Sequence, residues 1–173
     1  MALVSNQQIT ILGFMGTGKT TVARELGHKL NCPAIDLDEL ITSHAGRTPN
    51  EIIEHDGEEK FRELETQMLR QVLQDAEARV IALGGGAWTT AANRQLIADH
   101  EAIAVWLDAP FDLCWERIES HGEVRPLARS RELAERLYHE RRPIYELAHA
   151  RISVSARESP SEIATRIIDE FSK

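Results

Sequence analysis

Several things are scarce in this chain, and each scarcity narrows what it can be. Aromatic residues are 5% of the 173. The three tryptophans, Trp88, Trp106 and Trp115, are the material for any base-stacking surface, and core or rim packing is their commoner use. There are two cysteines, Cys32 and Cys114, without metal-ligand spacing, so free thiols in a reducing cytoplasm are expected. No apolar run approaches the ~18 residues that a membrane helix needs. The opening MALVSNQQIT lacks a basic stretch followed by an apolar core, so no secretory signal is expected. Basic charge is also short: 20 Lys and Arg against 28 Asp and Glu leave a net charge of −8. Nonspecific nucleic-acid binding needs the opposite balance. An anionic small molecule would therefore have to be held by a local cluster of Arg and Lys, against the sign of the whole chain. The seven histidines are scattered without a paired metal-binding pattern. No repeat, low-complexity tract or Pro/Ser-rich linker divides the sequence.

What remains is enough chain for one compact domain, residues 1–173. Short Val/Ile/Leu-rich runs, at 8–12, 33–37, 80–83, 102–107 and 152–154, alternate with longer amphipathic stretches. Strands apolar on both faces and separated by helices predict an α/β fold with a parallel sheet covered on both sides. Helices are expected over 18–30, 49–73, 91–99, 110–120 and 132–148, with Pro160 opening the last. The polar stretch 120–131 breaks the apolar pattern and reads as a mobile, Arg-bearing insertion.

Chemistry enters at Gly13-Phe-Met-Gly16-Thr17-Gly18-Lys19-Thr20, followed by Thr21. This is the G-x-x-x-x-G-K-[ST] pattern, placed directly after a strand and opening a helix. Glycines let the backbone curl so that N–H groups face phosphate oxygens at a helix N-terminus. Lys19 can bridge the β- and γ-phosphates, and the Thr20 hydroxyl suits magnesium. The pattern predicts ATP and Mg2+, without separating kinases from other nucleotide hydrolases.

Asp36-Leu-Asp38 follows the second apolar run. On an extended segment both carboxylates would share one face, one for a magnesium-bound water and one to orient or deprotonate a hydroxyl. The spacing fits equally well with Asp38 as the N-cap of a helix that begins at Glu39.

With these, four further segments resemble the shikimate kinase family in order and along nearly the whole chain. They are Gly57-Glu-Glu-Lys-Phe61-Arg62-Glu-Leu-Glu65, Leu83-Gly84-Gly85-Gly86-Ala87, Val124-Arg125-Pro126-Leu127 and Arg142-Pro-Ile-Tyr145. The resemblance implies a nucleoside-monophosphate-kinase-like, three-layer α/β/α fold with a five-stranded parallel sheet and a lid at about 120–132. It implies a cytoplasmic monomer that phosphorylates the 3-hydroxyl of shikimate with ATP in aromatic amino-acid biosynthesis, with no nucleic-acid or membrane partner. Residue by residue, it implies Lys19, Asp38 and Arg125 as catalytic. Gly16, Thr17, Gly18, Lys19, Thr20, Thr21, Arg117, Arg125 and Arg157 would hold the nucleotide. Asp38, Arg62, Gly84, Gly85, Gly86 and Arg142 would hold shikimate, with Thr20 and Asp36 at the metal. Read without the family, a helix-surface ion pair with Glu58 or Glu65 is the lesser reading of Arg62, and three consecutive glycines exceed what a strand-ending turn requires. Arg142 reads as a solvated charge, and for Arg157 a solvated charge fits equally well.

Overall fold

The computed structural model describes residues 7–122 and 127–172. Five strands form a single sheet: β1 (Ile9–Leu12), β2 (Ala34–Asp36), β3 (Val80–Ala82), β4 (Ile103–Asp108) and β5 (Ala150–Ser153). Their order is β2-β3-β1-β4-β5, and every neighbouring pair is parallel. Ile11 on the central strand is level with Ala82 on one side and Val105 on the other. All residues of β1, β3 and β4 are buried. A sheet so apolar on both faces folds only when helices cover both. Each fully buried Ile or Leu, such as Ile11, Leu12 and Ile81, contributes about 1.5–3 kcal/mol by leaving water.

Eight helices supply that cover: α1 (Lys19–Leu30), α2 (Leu37–Ala45), α3 (Pro49–Asp56), α4 (Glu58–Asp75), α5 (Ala91–Asp99), α6 (Phe111–His121), α7 (Arg131–Tyr145) and α8 (Pro160–Phe171). Helix α1 packs beside α8 and under β1–β3, while α4 packs on α5 and α5 on β4, completing a three-layer α/β/α arrangement. Among the described residues no helix is long and apolar enough to cross a membrane.

Local chemistry sets the boundaries. Thr48 and Ser159 each open a helix with a capping box and a proline in its first turn. The continuous helix expected over 49–73 is instead two. Gly57, at φ 92°, takes a backbone conformation that interrupts the helical ladder and redirects the chain into α4. The strand expected to reach Leu37 stops at Asp36, because the Asp36 carboxylate accepts from the Asp38 and Glu39 N–H groups and starts α2. At the other edge, β5 enters the sheet with help from a side chain. The Ala104 N–H donates to Nδ1 of His149 (2.8 Å), and the His149 N–H donates to the Ala104 carbonyl (2.9 Å). The imidazole thus satisfies a strand N–H ahead of the ladder, a structural use for one of the scattered histidines.

Candidate active site

The carboxyl ends of the strands open onto two joined clefts. The larger, about 420 Å³, is walled by the loop after β1, the start of α1, Asp36 and the end of α6. In that loop Gly16 sits at φ 81°, and a Cβ there would lie 2.6 Å from the Cys114 carbonyl oxygen, so only glycine fits. The Thr17 hydroxyl turns inward to the Phe14 carbonyl (2.9 Å) and braces the loop from beneath. The Lys19 ammonium also reaches the Phe14 carbonyl (2.9 Å). Arg117 on α6 donates to the carbonyls of Gly16 (3.1 Å) and Thr17 (3.2 Å), tying the loop to that helix. Cys114 lies buried against this loop, and burial pushes its thiol up to about 11, which leaves it neutral and unreactive.

Gly16, Gly18, Lys19, Thr20, Thr21 and Arg117 all line this cleft. Thr17 does not, since its side chain faces the interior. Arg157 is exposed after β5 and is not among the residues that line the cleft. Two lining residues that the sequence did not single out are Ile118 and His121. The His121 Nδ1 makes a 2.6 Å bond to the Arg117 carbonyl; a carbonyl can only accept, so Nδ1 carries the proton.

Asp36 and Asp38 are brought together, though not by sharing a strand face. Asp36 ends β2 and Asp38 lies in the first turn of α2, yet both line the nucleotide cleft. The cap is Asp36, not Asp38. Its Oδ1 holds the helix N-terminus while its Oδ2 accepts from the Thr20 hydroxyl. One carboxylate thereby links the phosphate loop to the acceptor side.

The smaller cleft, about 70 Å³, lies beyond Asp38, which lines both together with Met15 and Gly85. Arg62 enters it from α4, held at 2.8 Å by Glu65 and 3.3 Å by Glu58. The ion-pair reading of Arg62 is therefore met, and the same guanidinium lines the cleft. Gly84–Gly86 form the opposite wall. A Cβ on Gly84 would stand 2.8 Å from Asp38 Oδ1 and 3.0 Å from Glu65 Oε1, and one on Gly86 would overlap the Arg62 guanidinium. The glycines are thus more than a turn: side chains close against their backbone. The turn is itself pinned. The Tyr145 hydroxyl donates to the Gly85 carbonyl (2.5 Å), the Trp88 indole N–H to Ile144 (2.9 Å) and the Asn93 amide to Ala87 (2.9 Å). Burial pushes the Tyr145 hydroxyl up to about 12, so it stays a donor.

Glu65 is fully buried in this cleft. Burial pushes its carboxyl up to about 7; Arg62 opposes the shift and Asp38 adds to it. Among the described residues its Oε1 has no hydrogen-bond partner.

One expected acceptor residue is corrected. Arg142 points away from the cleft. It pairs with Asp108, donates to the Tyr138 hydroxyl (2.7 Å) and lies over the Trp106 ring. Its neighbour Arg141 lines the acceptor cleft instead, only 6% exposed. The reason is helical phase. Ala134, Tyr138, Arg141 and Tyr145 form the buried stripe of α7 at spacings of four, three and four, and Arg142 falls one residue off it. That stripe was available in the sequence. Among the described residues no carboxylate lies within ion-pair distance of Arg141, although Glu65 and Asp38 line the same cleft. Arg125 lies outside the described residues, while Leu127 is among the residues that line the acceptor cleft.

Two guanidiniums and a glycine turn on one side of an aspartate, and a phosphate loop on the other, form a site for moving a phosphoryl group onto an anionic alcohol. Comparison with known proteins agrees. A family model for shikimate kinase matches residues 15–172. The shikimate kinase of Cereibacter sphaeroides is 39% identical over 163 residues, 92% of this chain and 79% of that one. The shikimate kinase of Ruegeria pomeroyi is 35% identical over 170 residues, 96% and 86% of the two chains. In three dimensions, Acinetobacter baumannii shikimate kinase in complex with shikimate superposes with a TM-score of 0.84 at 32% identity, covering 95% and 92%. A gluconokinase from Sinorhizobium meliloti, at 16% identity and TM-score 0.64, shares the fold.

Proposed function

The chain belongs to the shikimate kinase family, and we propose that it transfers the γ-phosphate of ATP to the 3-hydroxyl of shikimate, giving 3-phosphoshikimate and ADP for aromatic amino-acid biosynthesis. The observation that carries the acceptor is the convergence of Arg62 and the buried Arg141 on a cleft lined by glycine backbone. A carboxylate is gripped best by guanidinium forks in a desolvated place, and shikimate presents a carboxylate and ring hydroxyls from one small ring.

The residues divide the work by position. Asp38 lines both clefts, so its carboxylate stands where an acceptor hydroxyl would meet the γ-phosphate. There it orients the hydroxyl and accepts its proton as the new O–P bond forms. Lys19 exchanges the Phe14 carbonyl for phosphate oxygens, because an ammonium is held more strongly by an anion than by a neutral acceptor. As the bond to the leaving phosphate breaks, Lys19 offsets the charge spread over the transferring oxygens. Arg125 is assigned the same task from the lid, whose closure excludes water and suppresses simple ATP hydrolysis. Arg117 braces the nucleotide loop beside the base. Arg157, exposed after β5 and outside the cleft lining, is assigned to the adenine side.

The Thr20 hydroxyl and the Asp36 carboxylate are hard oxygen ligands already in mutual contact. They fit magnesium, which keeps most of its waters and takes the rest of its shell from phosphates. Thr20 would bind the ion directly and Asp36 through water, and when bound it neutralises charge on the β- and γ-phosphates. We further infer a cytoplasmic monomer acting on small molecules alone, without nucleic-acid or membrane partners. The net charge of −8 supports the nucleic-acid part of that reading.

ADP release by the purified protein with Mg-ATP tests the proposal, with shikimate, gluconate or nucleoside monophosphates as acceptor. Release that depends on shikimate is the expected result. Release with another acceptor would keep the kinase and overturn shikimate.

A further inference from the structure

The acceptor cleft is balanced before anything enters it. Two guanidiniums, Arg62 and Arg141, face two carboxylates, Asp38 and Glu65. The cleft is small, and Glu65 and Arg141 are almost wholly shielded from solvent. A substrate carboxylate seated between the arginines would add a third negative charge to this low-dielectric space. An unbalanced buried charge is costly, and the usual remedy is a change of protonation.

Glu65 is placed to make that change. Its Oε2 accepts from Arg62 at 2.8 Å, but its Oε1 has no partner among the described residues and lies 3.0 Å from where a Cβ on Gly84 would stand, beside Asp38 Oδ1 at 2.8 Å from the same point. An ionised carboxylate in that position leaves one buried lone-pair set unused; a protonated one turns Oε1 into a donor facing the cleft. The groups around it are few. Helix α4 brings Arg62, with Glu58 behind it, α2 brings Asp38, and α7 brings Arg141 and the neutral Tyr145. Helix α3 contributes Asn50 and Ile53, and the glycine turn no charge. No histidine or cysteine lines the cleft among the described residues.

We propose that Glu65 takes up one proton from solvent at Oε1 when the acceptor's carboxylate settles between Arg62 and Arg141, and releases it when product leaves. Capture of the acceptor is then coupled to proton uptake. The empty-site value of about 7 for Glu65, raised by burial, places the coupling near neutrality. The sign follows from linkage. An anion nearby raises the Glu65 value further, so affinity is full below about pH 7 and is lost as pH rises through it. The inference rests on the shikimate reading above, and its test separates the two.

Shikimate binding to the full chain with ADP present is measured by calorimetry at about pH 8 in phosphate and in Tris, whose ionisation heats differ. The expected result is a difference in heat equal to uptake of roughly one proton, with a Kd flat below about pH 7 and rising up to tenfold per pH unit above it. Glu65→Gln keeps an oxygen for Arg62 but cannot titrate; its Kd should be independent of pH and its heats equal in the two buffers. Equal heats for the unaltered protein would overturn the proposal without reference to any variant. So would a pH dependence that survives in Glu65→Gln. No shikimate heat at any pH, from protein that still binds ADP, would overturn the acceptor itself.

Discussion

The two clefts are built in different ways. The nucleotide cleft takes its largest single share of lining from one continuous segment, 13–21, whose Thr17 and Lys19 side chains brace it from below. The acceptor cleft gathers Asp38 from α2, Arg62 and Glu65 from α4, the glycine turn after β3 and Arg141 from α7. The first depends on local conformation and the second on how helices are packed. Damage to the first should therefore fall on catalysis as a whole, and damage to the second on one substrate.

The sharpest contrast would come from Lys19→Ala. It should lower kcat on the order of a hundred- to a thousandfold or more, the cost of losing one charged donor to the transition state, with the fold unchanged by circular dichroism. A loss under tenfold would break the idea that the loop carries the electrostatic work.

Next in size is Arg141→Ala, which removes charge-assisted hydrogen bonds worth about 1.5–3 kcal/mol. The KM for shikimate should rise roughly ten- to 150-fold, with that for ATP nearly unchanged, and Arg62→Ala should act in the same direction. Equal shifts in both constants would show that the clefts are not separate.

Gly84→Ala probes the same cleft from the backbone. Its φ is not in the left-handed region, but the added methyl would press on both Asp38 and Glu65. We expect a raised shikimate KM and an unchanged ATP KM.

Smaller still is Asp36→Ala, which should cost stability by about 1 kcal/mol through loss of the α2 cap and raise the magnesium concentration needed for half-maximal rate. The smallest effect belongs to Arg142→Ala. Asp108 keeps Arg151, so a loss of about 1 kcal/mol or less in thermal unfolding is expected, with kinetics unaltered. A large rise in shikimate KM from this variant would reverse the assignment of the two neighbouring arginines.

Much of the fold was legible because its signals are local. Apolar runs bounded by turns marked the strands, and a glycine-lysine pattern after the first of them marked the loop. Where the reading failed, a competing local effect had decided. Gly57 divided one long amphipathic pattern into two helices, and the Asp36 cap ended β2 a residue early. In the sequence Glu65 is legible only as an ion-pair partner for Arg62, because only burial and an unpartnered oxygen distinguish it from the helix-surface glutamates around it. Thr17 was legible as part of the loop but not as its inward brace.

The sequence by itself determined the class of fold, the nucleotide loop and the chemistry on offer, since a phosphate cradle needs only consecutive residues of the right conformational freedom. The tertiary structure decided which of two adjacent arginines faces the acceptor. On a helix, neighbours in sequence stand about 100° apart, and α7 docks with the Ala134–Tyr138–Arg141–Tyr145 stripe inward. That docking buries Arg141 at the cleft and sends Arg142 to Asp108, at the far side of the helix.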